Sequence, residues 1–334
     1  LSGVSCVFYE RNFNMKRLLS VLCITALLLG SITGCGKEEV TLEQPYDIYE
    51  TTGSLGLGTT VSAGAQEYFS KDLCVADDVS LGTDTTDSQV AEGAGTFNLA
   101  TNEIVYAKNI YERLYPASTT KILTAYIALK YCTDLSQTVT ISENAANQAS
   151  DSSVCGLHAG DVIRMDDLLY GMMLRSGNDA AISIAESISG SVEEFAALMN
   201  KEAAALGATQ SHFVNPNGLP DENHYTSVYD LYLIFQNAVQ DQTFLDIIST
   251  MSYDVVYTDV NGAGVEKTWE NTNQYLTGKE KAPEGITVVG GKTGTTGAAG
   301  YCLVLYSYNA SGQPIVSIVL KADGKSNLYL LMNE

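Results

Sequence analysis

Two strongly apolar runs close this chain, Tyr301 to Tyr308 and Ile315 to Leu320, separated by Asn309-Ala310-Ser311-Gly312. Short apolar runs bounded by turn residues read as buried strands. Ala94 to Leu99 and Glu103 to Lys108, around Thr101-Asn102, read as a hairpin far upstream. Between these ends the patterns are helical. An apolar run from Ile122 to Leu129 follows Ser118, and Asp161 to Leu174, Ala180 to Ile188 and Ser227 to Ala238 continue the series. Ser191-Val192-Glu193-Glu194 is a capping box whose helix stops at Gly207. Val139-Thr140-Ile141 is a short extended piece. Strands at both ends with helices between imply one sheet closed by both ends of the chain, with a helical lobe inserted: an α/β (α+β) fold.

Upstream of Val90 the texture differs. Met15-Lys16-Arg17 precedes an apolar stretch from Leu18 to Leu29, and Ile32-Thr33-Gly34-Cys35 follows. A short positive region, a short apolar core and small residues describe an export signal, too short for a membrane span. Its ending resembles a bacterial lipobox, with Cys35 as the lipidated residue. Residues 1–14 read as translation upstream of the true start. Residues 35–89 are rich in Thr, Ser, Gly, Asp and Glu and read as a flexible acidic linker, with a short helix over Gln66 to Val75. The expected domains are therefore 1–34 (signal), 35–89 (linker) and 90–334 (globular). The net charge of −21 argues against nucleic-acid and anionic-lipid partners, so membrane contact falls to the lipid.

Three short motifs carry chemistry. Ser118-Thr119-Thr120-Lys121 places a hydroxyl and an amine three residues apart at a helix start, on one face. A serine needs such a base to act as a nucleophile, and a helix start offers free N–H groups to an oxyanion. Ser176-Gly177-Asn178 follows the helical run ending at Leu174, and Lys292-Thr293-Gly294 follows a strand-like run, Ile286 to Gly291, with glycines at its end. Each is common alone. S-x-x-K, S-x-N and K-T-G in this order are specific.

With these residues the chain resembles the low-molecular-mass penicillin-binding proteins, the serine D-alanyl-D-alanine carboxypeptidases. The resemblance runs from about Val90 to about Leu331. It includes Tyr115-Pro116-Ala117 before the serine, Asp179-Ala180-Ala181 after the second motif, and Phe213 to Leu219 with His224 and Asp230. Trp269 to Asn273 and Ala299 to Leu303 complete it. It implies a five-stranded antiparallel sheet flanked by helices, an all-helical lobe, and a site in the cleft between. It further implies Ser118 as nucleophile, Lys121 as base, Ser176 as proton donor to the leaving amine, and Asn178 as a partner of both substrate and Lys121. Lys292, Thr293, Gly294 and Thr295 would bind substrate, and the N–H groups of Ser118 and Thr295 would form the oxyanion hole. The implied substrates are peptidoglycan stem peptides, with β-lactams as inhibitors, at the outer face of the cytoplasmic membrane.

The chain also departs from the family. Relatives often continue into a small β-rich domain and a tail anchor, whereas this sequence stops at Glu334; the lipid on Cys35 would replace that anchor. Relatives often carry a carboxylate-binding arginine near the C-terminus, where Lys325 is the nearest cation here. A lysine is a point charge rather than a bidentate fork. Two other readings compete: a β-lactamase of the same fold, disfavoured because no E-x-x-L-N segment is present, and a silent penicillin-binding lipoprotein, disfavoured by the intact motif set. No cofactor is expected. His158, His212 and His224 lack ligand spacing, and the seven cysteines include no C-x-x-C pair, so no metal site is expected. Cys132 and Cys302 read as small buried hydrophobes, and His224 as a structural loop residue. Asp77-Asp78 and Asp166-Asp167 read as solvated or helix-start charges.

Overall fold

The computed structural model describes residues 72–75, 80–81 and 90–334. The signal segment, Cys35, Asp77-Asp78 and most of the linker lie outside the described residues. In chain order the elements are β1 (Ala91–Asn98), β2 (Glu103–Lys108), a 3-10 turn (Ala117–Thr120), α1 (Lys121–Tyr131), β3 (Thr138–Thr140) and α2 (Glu143–Ala146). Then come β4 (Val162–Arg164), α3 (Met165–Leu174), α4 (Asn178–Ser189), α5 (Val192–Ala205), α6 (Val228–Ala238) and α7 (Gln242–Ser249). The last are β5 (Ser252–Thr258), β6 (Gly264–Glu270), β7 (Thr287–Thr296), β8 (Gly300–Tyr308), β9 (Pro314–Ala322) and α8 (Lys325–Asn333).

The main sheet has the order β2-β1-β9-β8-β7, all neighbours antiparallel. Both ends of the chain build it, because Ala91 pairs with Ala322 and Asn98 with Ile315. Side chains alternate between its faces. Phe97, Val304, Val316 and Ile318 belong to the large core shared with the helices. Ala94, Leu303, Leu305 and Val319 turn the other way and pack with Leu328, Tyr329 and Leu331 of α8. At the centre stands α1, whose Ile122, Leu123, Ala125, Ile127 and Ala128 are all buried. A helix this apolar on several faces suits only an interior position. Ser191 Oγ accepts the Glu194 N–H (3.1 Å), which sets the start of α5.

The inserted lobe is not all-helical. It carries a four-stranded sheet of order β3-β4-β5-β6. The helix expected over Asp161 to Leu174 begins only at Met165, because Val162 to Arg164 pair with Thr140 to Thr138. Long-range pairing of two β-branched residues, Val162 and Ile163, overrides the helical pattern there. The packed region also begins before Val90. Most of the helix expected over Gln66 to Val75 lies outside the described residues, its last four residues, 72–75, being a turn and irregular chain, and Cys74 is fully buried, its N–H donating to Tyr232 Oη (2.8 Å). Leu81 bridges to Ala107 of β2. Cys302 is buried as expected, but Cys132 is only half-buried. Asp167, in the first turn of α3, is buried and accepts the Tyr253 hydroxyl (2.6 Å), so it is not a solvated charge. Among the described residues no helix is long and apolar enough to cross a membrane.

Candidate active site

Pro116 precedes the 3-10 turn, and Ala117 takes a left-handed backbone (φ 48°) that lifts Ser118 ahead of α1. Ser118 therefore sits in this turn rather than in the helix proper, and Lys121 is the first α-helical residue. Three residues still make about one turn, so the two side chains meet: Lys121 Nζ donates to Ser118 Oγ at 3.1 Å. The ammonium is completely buried and has two further acceptors, Asn178 Oδ1 (2.8 Å) and the Asn217 carbonyl (2.7 Å). Burial, and next the positive charge of Lys292, push its pKa well below the usual lysine value. Asp179 and Cys155 act in the opposite direction.

Lys292 is held the same way from the other side. It lies within β7, not after it, because the strand runs through Lys292-Thr293-Gly294 to Thr296. Its Nζ donates to Ser176 Oγ (3.0 Å) and to the Thr293 carbonyl (2.8 Å). Burial lowers its pKa to about 7. Its charge is thus not fixed at neutral pH, and an entering anion favours the protonated form. Ser176 adopts a left-handed conformation (φ 60°) at the turn into α4, an unusual backbone for serine. Two hydroxyl–amine pairs, Ser118–Lys121 and Ser176–Lys292, thus converge, with Asn178 beside the first.

Two cavities open on Ser118. One is lined by Ser176, Thr272, Thr293, Tyr301 and Lys325, the other by Asp151, Asn178, Asn217, Leu219 and Gly297. Ser118, Ser153 and Thr295 line both. Gly294 runs so close to the turn that a Cβ there would lie 3.0 Å from the Ser118 nitrogen. All eight residues singled out in the three motifs and Thr295 thus border one cleft or its floor; Cys35 lies outside the described residues. The motifs did not reveal the Asn217 carbonyl, the Thr272 hydroxyl bonded to Thr293 Oγ1 (2.6 Å), or Ser153. A backbone carbonyl leaves no residue-type signal, although the Asn215-Pro216-Asn217-Gly218 turn marked the place. Gly218 has φ 86°, and a Cβ there would sit 1.8 Å from the Ala117 carbonyl oxygen. The loop is thus pressed directly onto the serine turn.

Chemically, a hydroxyl beside a buried amine of depressed pKa can transfer its proton and attack an acyl carbon. Among the described residues no group of three or more His, Cys, Asp or Glu is placed to hold a metal ion.

A family model described as Peptidase_S11, D-alanyl-D-alanine carboxypeptidase, matches residues 83–324. The chain is 36% identical over 219 residues to the D-alanyl-D-alanine carboxypeptidase DacF of Bacillus subtilis, covering 64% of this chain and 53% of that protein. It is 32% identical over 240 residues to the D-alanyl-D-alanine carboxypeptidase of Streptomyces sp. K15, covering 69% and 80%. The crystal structure of the Streptomyces K15 DD-transpeptidase superposes with a TM-score of 0.68 at 30% identity, covering 75% of this chain and 98% of that one. The chain spans about half the length of the Bacillus subtilis relative and of its Haemophilus influenzae counterpart. With the family model matched from residue 83 to 324 and the fold shared with a solved DD-transpeptidase, this chain belongs to the D-alanyl-D-alanine carboxypeptidase family Peptidase_S11.

Proposed function

We propose that the protein is a serine D-Ala-D-Ala carboxypeptidase that trims peptidoglycan stem peptides through an acyl-enzyme and is inhibited by β-lactams. The observation that carries this reading is the fully buried Lys121 amine 3.1 Å from Ser118 Oγ. In its neutral form Lys121 takes the Ser118 proton as Oγ bonds to the carbonyl carbon between the two D-alanines. The N–H groups of Ser118 and Thr295 stabilise the oxyanion, a donor worth roughly 3–4 kcal/mol each. Ser176, bonded to Lys292, gives its proton to the leaving amine as the C–N bond breaks and takes up in exchange the proton that Lys121 received from Ser118, which leaves Lys121 neutral again. Water then cleaves the ester, with Lys121 again receiving a proton, and returns Ser118 to its hydroxyl form. Lys292, Thr293 and Thr295 bind the terminal carboxylate, and the extended edge of β7 offers backbone groups to the peptide. The test is release of free D-alanine from a D-Ala-D-Ala pentapeptide, with penicillin mass mapped to Ser118. Label on another serine, or unchanged labelling of Ser118→Ala, refutes the assignment.

The same reading places the protein at the outer face of the cytoplasmic membrane, held by lipid on Cys35. The support is the Ile32-Thr33-Gly34-Cys35 sequence after a short apolar core. Stable anchoring needs more than one acyl chain. Palmitate labelling that persists in Cys35→Ala rules this out.

A further inference from the structure

The wall of the cleft that carries Ser153 is held by charges placed behind it. Asp179, only 1% exposed, follows Asn178 in the first turn of α4. Its carboxylate accepts the N–H groups of Cys155 (2.9 Å), Gly156 (2.9 Å), Leu157 (3.1 Å) and Ala180 (2.9 Å). Gly156 supplies the left-handed residue (φ 78°) in this run of N–H donors, the backbone nest that favours an anion. From β6, Lys267 Nζ donates to the carbonyls of the same two residues, Cys155 (3.3 Å) and Gly156 (2.5 Å). A carboxylate thus grips the N–H side of the segment while an ammonium grips its C=O side. The Cys155 thiol fills the space against α3 and α4, where a Cβ on Gly171 or Gly177 would lie 2.6 or 2.3 Å from it. At the front, the Ser153 carbonyl accepts the Asn178 N–H (2.8 Å), and Ser153 lines both cavities beside Ser118.

We propose that Asp179 and Lys267 are positioning residues that hold residues 153–157 from opposite sides, and that this segment presents the Ser153 hydroxyl to the substrate backbone next to Ser118. The inference rests on Ser118 being the nucleophile. Ser153 stands where the two cavities join, so an extended peptide crossing Ser118 passes it. A hydroxyl both donates and accepts, and so suits a peptide N–H or C=O rather than a charged group. Lys267 is the cleaner handle on the clamp, because the Asp179 charge also bears on Lys121.

The experiment measures D-alanine release from a D-Ala-D-Ala pentapeptide by the full chain and its variants, alongside amide hydrogen exchange. Ser153→Ala and Lys267→Met should each raise KM roughly 3–10-fold, the loss of one neutral hydrogen bond, with kcat nearly unchanged. Lys267→Arg should recover most of the wild-type KM. The double variant Ser153→Ala/Lys267→Met should be no worse than either single, because both remove one interaction. The Cys155, Gly156 and Leu157 amides should be protected in the wild type and lose protection in Asp179→Asn while the main sheet keeps its own. Additive KM effects, or a fall in kcat at constant KM, overturn the role of Ser153. Rapid exchange of these amides in the wild type overturns the clamp. A wild-type protein that keeps the exchange pattern yet releases no D-alanine and is not acylated by penicillin overturns the Ser118 reading, and with it the role of Ser153, but supports the clamp.

Discussion

Acidification should unlatch the serine turn through a single histidine. The His224 ring is 1% exposed. Its Nδ1 accepts the Val214 N–H (3.2 Å), which places the ring proton on Nε2, facing Thr120 Oγ1 (2.9 Å). The neutral ring therefore ties the 214–224 loop, with its Asn217 carbonyl, to the turn bearing Ser118. Burial lowers its pKa from 6.5 to about 4. A base with a depressed folded-state pKa stabilises the fold fully above its unfolded value, and that stabilisation is lost as pH falls from 6.5 towards 4. The lost contribution works out at about 2 kcal/mol by roughly pH 5 and about 3 kcal/mol by roughly pH 4. Urea unfolding of the wild type and of His224→Asn, across this range, isolates the effect, since the carboxylates are common to both. The wild type should lose about 3 kcal/mol more than the variant between roughly pH 7.5 and 4, and penicillin acylation should weaken over the same window. Parallel stability curves would refute the argument.

Gly218→Ala must place a Cβ against the Ala117 carbonyl from a left-handed backbone (φ 86°). It should lose about 2–5 kcal/mol of stability, combining the left-handed and overpacking costs, and acylate slowly; wild-type acylation and melting temperature would contradict the packing. Lys121→Arg should abolish acylation, because a guanidinium does not release its proton, whereas Lys292→Arg should keep part of it; equal loss in stopped-flow acylation would refute the division of roles. The acylation rate should rise as Lys121 loses its proton and level off well below the ordinary lysine value of 10.5; a rise centred near that value would exclude Lys121 as base. Among the described residues lining the two cavities the one carboxylate is the exposed Asp151, so no dedicated carboxylate base drives water past an opened β-lactam ring that stays tethered over the ester, and a chromogenic cephalosporin should give about one equivalent of product and stall, whereas a departing D-alanine clears the path for water. Sustained hydrolysis without D-alanine release would favour a β-lactamase.

The five strands of the main sheet were legible because each is an apolar or alternating run with turn residues at its ends. The lobe's sheet was only partly so. Tyr253, Val255 and Tyr257 alternate on β5, and Asn261-Gly262 sits in the turn to β6, so this hairpin was readable in the sequence, yet an all-helical lobe was expected. By contrast β3 and β4 are three residues each and exist only through their pairing, which no local pattern encodes. At the site, residue types and order disclosed the two hydroxyl–amine pairs. They could not disclose that Asn217 contributes a main-chain oxygen, nor that burial brings Lys292 to about 7. Both follow from what packs around the motif rather than from the motif.

Because Ala91 pairs with Ala322, the sheet has no complete form until residues 91 to 322 are all present. Such non-local pairing makes folding slow. Ser176 and the lysine that bonds it are 116 residues apart. A chain leaving a ribosome or a translocation pore amino end first therefore exposes Ser118, Lys121 and Ser176 long before β7 arrives to close the cleft. The fold thus works as a delay: Ser118 and Lys121 meet within one turn, but the Ser176–Lys292 pair is assembled only once β7 has been delivered, in whichever compartment receives it.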